Sequence, residues 1–136
     1  MTIRIEPLSD VMGAEISGID ASDLDDATFG LVRDALMDRQ IMVIRDQKLS
    51  PEEQKRFSRR FGELAIHVSD AYKMEGHPEV LILSNRKVDG EWVGAISAGD
   101  EWHSDTHYMA VPSMGSLLHA LEVPEEGGET AFCNIY

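Results

Sequence analysis

The chain has a single cysteine, Cys133, among its 136 residues. An intrachain disulfide is therefore impossible, and a reducing compartment suits the protein best. The opening residues, MTIRIEPLSD, lack the apolar core of a secretory signal, and no apolar run approaches the length that spans a bilayer. These absences predict a cytoplasmic protein without a membrane-spanning segment.

Basic residues are scarce as well. Lysine and arginine together number 12 against 25 aspartates and glutamates, which gives a formal net charge of −13. A domain this acidic lacks the positive surface that nucleic acid requires, and an anionic membrane would repel it. Hydrophobic residues make up 43% of the chain, an ordinary share for a globular domain. We therefore expect a folded domain that binds neither nucleic acid nor membrane.

The first half of the chain alternates predicted strands and helices. Residues 2–6 alternate apolar and polar side chains, which predicts a strand. Ser22 and Asp23 are suited to cap a helix over residues 24–39. Its apolar stripe would comprise Leu24, Ala27, Leu31, Val32, Ala35 and Leu36. The apolar run at 41–44 predicts a buried strand.

The segment SPEE gives the clearest local signal in the chain. Ser50 is suited to the N-cap, Pro51 to the first helical position and Glu53 to the reciprocal bond of a capping box. The apolar face of this helix would comprise Phe57, Phe61 and Leu64. Gly62 marks its expected end.

The second half is predicted to contain strands only. These strands cover residues 80–85, a hairpin turning at Asp89 and Gly90, residues 114–123, and a last strand within 130–136. Two helices among strands, followed by strands alone, indicate an α+β fold whose β part is a sandwich or a barrel.

The run EWHSDTHY places ligand-type side chains at alternate positions. In an extended segment His103 and Asp105 would point to the same face, about 6.6 Å apart at Cα. An imidazole and a carboxylate at this spacing can bind one divalent ion such as Fe(II). His107 would lie about 13 Å from His103, too far to complete the site unless the strand turns after Asp105. We therefore expect His107 to line the site without binding the metal.

The same pattern has a structural interpretation. A histidine and an aspartate two residues apart also occur as surface polar residues or as a hydrogen-bonded couple, so the spacing alone is a weak signal.

A longer sequence pattern around this pair indicates a metal site more specifically than the spacing does. WHSDTHY, followed by VPSMGSLLHALEVPEEGGETAF, resembles the TauD/TfdA family of Fe(II)- and 2-oxoglutarate-dependent dioxygenases. The upstream pieces GAEISGID, IMVIRDQKLSPEEQKRFSRRFGEL and VLILSN agree in order, so the resemblance covers nearly the whole chain. It implies a double-stranded β-helix, or jelly roll, with helices packed outside.

The resemblance also implies roles for individual residues. His103 and Asp105 would be two of three iron ligands, and Thr130 would hydrogen-bond 2-oxoglutarate. His67 matches a histidine that contacts the anionic group of the substrate. Tyr108 would contact the substrate and shield the site, or be an ordinary core residue. The implied reaction consumes O₂ and 2-oxoglutarate, hydroxylates a small-molecule substrate, and releases succinate and CO₂.

Three positions depart from the taurine-type pattern. Gly99 stands where such enzymes carry an asparagine that helps to hold the substrate. Val68 and Asp70 replace a proline and a tyrosine that follow the substrate histidine. These changes argue against taurine as the substrate, but they leave the iron chemistry untouched.

The family's third iron ligand and its 2-oxoglutarate-binding arginine have no match in this sequence. We therefore expect residues 1–136 to be the N-terminal part of one dioxygenase domain, with an incomplete jelly roll. The alternative is a catalytically incompetent fragment that serves only as a weak metal-binding or interaction module. A homo-oligomer is compatible with either interpretation.

Overall fold

The structure is a computed structural model that describes residues 2–96 and 99–136. The chain divides into two compact units. The first unit comprises Met1–Ser50 with His119–Tyr136, and the second comprises Pro51–Leu118. No helix of the described part of the chain is long and apolar enough to cross a membrane.

A three-stranded sheet organises the first unit. Strands β1 (Arg4–Pro7), β2 (Ala14–Ser17) and β3 (Met42–Ile44) lie in that order across the sheet. β1 pairs with β2 antiparallel and β2 pairs with β3 parallel, so that Ile16 lies between Ile5 and Ile44. β3 lies within the strand predicted at 41–44, although it is half-buried and not buried as predicted. β1 overlaps the strand predicted at 2–6 and extends to Pro7.

Helix α1 (Asp26–Arg39) connects β2 to β3 and packs against both. The predicted caps and start at residue 24 are wrong, because Asp25 caps the helix and accepts a hydrogen bond from the Thr28 N–H at 2.6 Å. The amide and hydroxyl of Ser22 instead both donate to Asp20. Ser22 and Asp25 can both cap a helix, and local hydrogen bonds engage Ser22 with Asp20 and leave Asp25 as the cap.

The core of the first unit lies where α1 covers β2. Its buried side chains are Ala14, Ile16, Ala21, Phe29, Val32 and Ala35. The predicted stripe is partly wrong, since Phe29 is buried while Leu31 is 48% exposed. Phe29, Val32 and Ala35 recur every three residues, which rotates the buried face of the helix away from Leu31.

In the second unit, helix α2 (Pro51–Arg59) begins at the predicted proline. Phe57 is buried, and its ring meets the edge of the Phe61 ring at a centroid distance of 5.4 Å. The helix ends at Arg59, before the predicted Gly62. Tighter bonds close its last turn, because the Phe61 N–H donates to the Ser58 carbonyl at 3.0 Å.

An ion-pair cluster accompanies the contact of α2 with β5 (His77–Leu81). The buried Lys55 ammonium lies 2.8 Å from a Glu52 carboxylate oxygen and 3.6 Å from one of Glu79. Arg59 pairs with the same Glu79 at 3.3 Å. The hydrogen bond from Lys55 lowers the pKa of Glu52, which keeps this carboxylate charged beside the buried ammonium.

The remaining strands form two small antiparallel pairs. β4 (Lys73–Met74) pairs with β5, and β6 (Lys87–Val88) pairs with β7 (Glu91–Trp92). The predicted hairpin is confirmed, since Asp89 and Gly90 both have positive φ at the turn. The strand predicted at 80–85 is displaced: it ends at Leu81, and Leu83 forms only an isolated bridge with Ala95.

Two predicted strands are wrong. The described residues form no strand within 114–123 or 130–136. Leu118, Leu121, Phe132 and Ile135 are all more than half exposed. A strand exists only where its backbone groups pair with a neighbour, and these apolar runs have no such ladder in the described part of the chain. The residues that the structure describes therefore form two helices and small sheets.

Candidate metal site

The segment that carries the ligand-type side chains is a loop and not an extended strand. Residues 102–104 have no regular secondary structure, and residues 105–108 form a turn. Thr106 has a φ of 54°, and its carbonyl accepts a hydrogen bond from the Met109 N–H at 2.9 Å. This positive φ breaks the extended chain directly after Asp105, so only His103 to Asp105 keep the spacing that the sequence suggests.

The side chains of His103 and Asp105 nevertheless converge. His103 Nε2 lies 3.1 Å from Asp105 Oδ1. His103 Nδ1 lies 2.7 Å from the Glu101 carbonyl oxygen. The two side chains remain 46% and 54% exposed, so a ligand from solvent can reach both. A shallow surface depression lined by Gly99, Asp100, Glu101 and His103 adjoins the imidazole.

The hydrogen bonds of His103 determine which ring nitrogen is available. A carbonyl can only accept, so Nδ1 carries the proton and donates to Glu101. In the neutral ring, Nε2 then presents a lone pair to a carboxylate oxygen, which also only accepts. This contact is satisfied only by a cation between the two atoms, either a proton or a metal ion.

The pKa of His103 reflects the same arrangement. It is raised from its ordinary value, first because Nδ1–H donates to the Glu101 carbonyl, and further because the Asp105 carboxylate attracts the charged ring. Partial burial opposes the shift. Without a metal ion, the proton is therefore held more firmly than on a free imidazole.

The second oxygen of Asp105 has a partner that sequence reasoning missed. Asp105 Oδ2 accepts a hydrogen bond from the Ser116 hydroxyl. The partner lies 11 residues along the chain, so no local spacing rule could have identified it. The contact between Ser116 and Asp105 can be recognised only after the turn at 105–108 has brought the two segments together.

His107 does not join the pair. The turn redirects its ring, and Nδ1 lies 2.7 Å from the Ser104 carbonyl oxygen. The ring also meets the edge of Tyr108, with centroids 6.1 Å apart. In the residues that the structure describes, no group of three histidine, cysteine or acidic side chains is arranged to hold a metal ion.

The residues expected to contact substrate lie in the same unit and are exposed. His67 Nδ1 accepts a hydrogen bond from the Ser69 N–H at 3.1 Å, which leaves the proton of the neutral ring on Nε2. Tyr108 is 58% exposed, so it is not the ordinary core residue that one interpretation allowed. Neither residue hydrogen-bonds to His103 or Asp105 within the described ranges.

Thr130 belongs to the other unit, where it is exposed in the irregular segment 119–136. Gly127 and Gly128 precede it with φ of 79° and 75°. A Cβ on Gly128 would lie 3.3 Å from Pro124 Cγ. Both positive φ values are conformations that glycine adopts without the strain that a Cβ would cause.

Comparison with known families decides the relationship. Residues 4–136 match the family described as "Taurine catabolism dioxygenase TauD, TfdA family". The chain belongs to this family. The prediction made from WHSDTHY and the GGET segment is thus confirmed, while the roles of individual residues in this TauD/TfdA chain stay predictions.

Two relatives with named activities are about twice as long as this chain. The (S)-phenoxypropionate/alpha-ketoglutarate-dioxygenase of Delftia acidovorans is 30% identical, and the match covers 98% of this chain and 47% of the relative. The alpha-ketoglutarate-dependent 2,4-dichlorophenoxyacetate dioxygenase of Cupriavidus pinatubonensis is 31% identical, with 99% and 51% covered. The TauD/TfdA chain therefore spans about half the length of these relatives.

A solved structure agrees with this assignment. The taurine dioxygenase from Burkholderia xenovorans is 35% identical and superposes with a TM-score of 0.55. The superposition covers 58% of this chain and 29% of that one. The shared fold thus extends over somewhat more than half of this TauD/TfdA chain.

Proposed function

We propose that the protein is an Fe(II)- and 2-oxoglutarate-dependent dioxygenase that hydroxylates a small anionic substrate, with release of succinate and CO₂. Family membership supports the reaction class. The observation that carries the proposal is the convergence of His103 Nε2 and Asp105 Oδ1 at 3.1 Å in an exposed loop. We propose further that residues 1–136 are the N-terminal part of one domain whose jelly roll includes additional strands.

The pair fits a ferrous ion on chemical grounds. One neutral nitrogen and one hard oxygen are two members of the facial set, two histidines and a carboxylate, that holds non-heme Fe(II) with open positions. Metal-binding histidines typically donate the other ring N–H to a backbone carbonyl, as His103 does to Glu101. The lone pair of Nε2 is thereby already directed at the metal position.

Each residue of the chain then has a limited task. Fe(II) with 2-oxoglutarate and O₂ supplies the oxidising chemistry, and the protein supplies positioning. His103 and Asp105 would hold the ion. Thr130 would donate a hydrogen bond to 2-oxoglutarate. Tyr108, exposed beside the metal loop, would limit the access of water to the substrate.

The substrate is proposed to be a carboxylate or a sulfonate. The names of the relatives above specify phenoxypropionate, 2,4-dichlorophenoxyacetate and taurine, each of which carries a carboxylate or a sulfonate group. The Nε2–H of His67 supports this class, because a free N–H donor suits an anionic oxygen. The altered residues Gly99, Val68 and Asp70 favour a substrate other than taurine.

Succinate formation tests the proposal. The protein expressed from its complete coding sequence is incubated with Fe(II), 2-oxoglutarate and each of these three compounds in turn. We expect substrate-dependent succinate, and its loss in His103→Ala and Asp105→Ala. Full turnover in either variant would reject the ligand assignment. Metal binding without succinate for any of the compounds would favour the alternative role as a metal-binding or interaction module.

A further inference from the structure

The carboxylate of Asp105 is held at both oxygens, and only one of its partners belongs to the proposed metal site. Oδ1 faces His103 Nε2 at 3.1 Å, while Oδ2 accepts the hydrogen bond of the Ser116 hydroxyl. An ionised carboxylate only accepts, so the serine is the donor. A hydroxyl bonded to a charged acceptor makes one of the stronger hydrogen bonds found in proteins.

We propose that Ser116 is a positioning residue for the metal-binding carboxylate. The inference rests on the proposed function, because it assigns a role to Ser116 only if Asp105 binds the metal. With 54% of its side chain exposed, Asp105 is not held by packing and could rotate about its terminal bond. The bond to Ser116 fixes Oδ2 and leaves Oδ1 directed at the metal position, so the aspartate binds through one oxygen.

The segment that carries Ser116 is itself hydrogen-bonded to the loop that contains His103 and Asp105. The Ser113 N–H donates to Thr106 Oγ1 at 2.8 Å, directly beside Asp105 in the chain. Thr106 also makes the backbone bond that closes the turn with Met109. The hydroxyl of Ser116 is thus presented from a fixed direction, which is what a partner that orients a metal ligand requires.

The test measures metal affinity with Mn(II) alone, a redox-stable probe for the Fe(II) position. The free ion is followed by electron paramagnetic resonance on the protein from its complete coding sequence. Ser116→Thr keeps the hydroxyl, and Ser116→Val has the shape of that threonine with a methyl group in place of the hydroxyl. Loss of a partner that orients a metal ligand typically weakens metal affinity about 10–100-fold. We expect this loss in Ser116→Val and near-native affinity in Ser116→Thr.

Two further variants separate the possible failures. Ser113→Ala is the matched control, since the bond from residue 113 uses its backbone, and it should bind Mn(II) as the native protein does. His103→Ala should lose Mn(II), and equal binding with and without His103 would reject the proposed metal site itself. If His103 is required but Ser116→Val and Ser116→Thr bind alike, whether both tightly or both weakly, only the role of Ser116 is overturned.

Discussion

Replacing Ile16 with alanine should destabilise the first unit strongly, because this side chain is fully buried between two strands and under α1. The substitution removes three carbon atoms, and each buried methylene contributes about 0.8 kcal/mol. The transfer term is then about 2.4 kcal/mol, and a cavity that closes only in part adds to it. We expect the free energy of unfolding to fall by about 3–4 kcal/mol, measured from urea denaturation.

Ile5 provides the matched control. It lies directly opposite Ile16 across β1 and β2, but it is 40% exposed. Ile5→Ala should therefore cost about 1.5 kcal/mol or less, since part of the side chain is already in water and no closed cavity forms. Both side chains lie on the same face of the sheet, so equal losses at the two positions would refute the assignment of the core to β2 rather than to the edge strand β1.

Two more predictions concern backbone and charge. Gly18→Ala should lower the unfolding temperature, because φ is +78° and the new Cβ would clash with the Thr2 carbonyl oxygen. Gly30→Ala, inside α1 with nothing within 4 Å, should instead stabilise by about 0.5–1 kcal/mol. In metal-free protein the His103 ring should titrate by NMR above its ordinary value near 6.5, mainly because of the Glu101 carbonyl. The raised pKa stabilises the fold at low pH, and this stabilisation is lost as pH rises through the pKa. Metal binding, in contrast, weakens as pH falls through the same pKa, because the proton competes with the metal ion. A titration midpoint at the ordinary value would contradict the geometry.

Local signals in the sequence predicted the elements that depend on local chemistry. The start of α2 at Pro51 and the turn at Asp89 and Gly90 follow from capping and turn preferences that a few residues determine. The proximity of His103 and Asp105 was also predictable, because residues two apart in any extended stretch share a face, even outside a sheet.

Features that depend on distant partners were not predictable. The apolar runs at 114–123 and 130–136 satisfy the composition of strands, but a strand also needs a neighbour to pair with. The hydrogen bond between Ser116 and Asp105 could be predicted only by knowing that the chain turns at Thr106. The burial of Phe29 in place of Leu31 depended on which face of α1 meets the sheet.

Binding of Fe(II) under anaerobic conditions tests the central claim most directly. Equilibrium dialysis of the protein from its complete coding sequence should give one ferrous ion per chain, with binding lost in both His103→Ala and Asp105→Ala. His107→Ala, which changes a ring hydrogen-bonded to Ser104, should retain the ion. Undiminished iron in either of the first two variants would contradict the account.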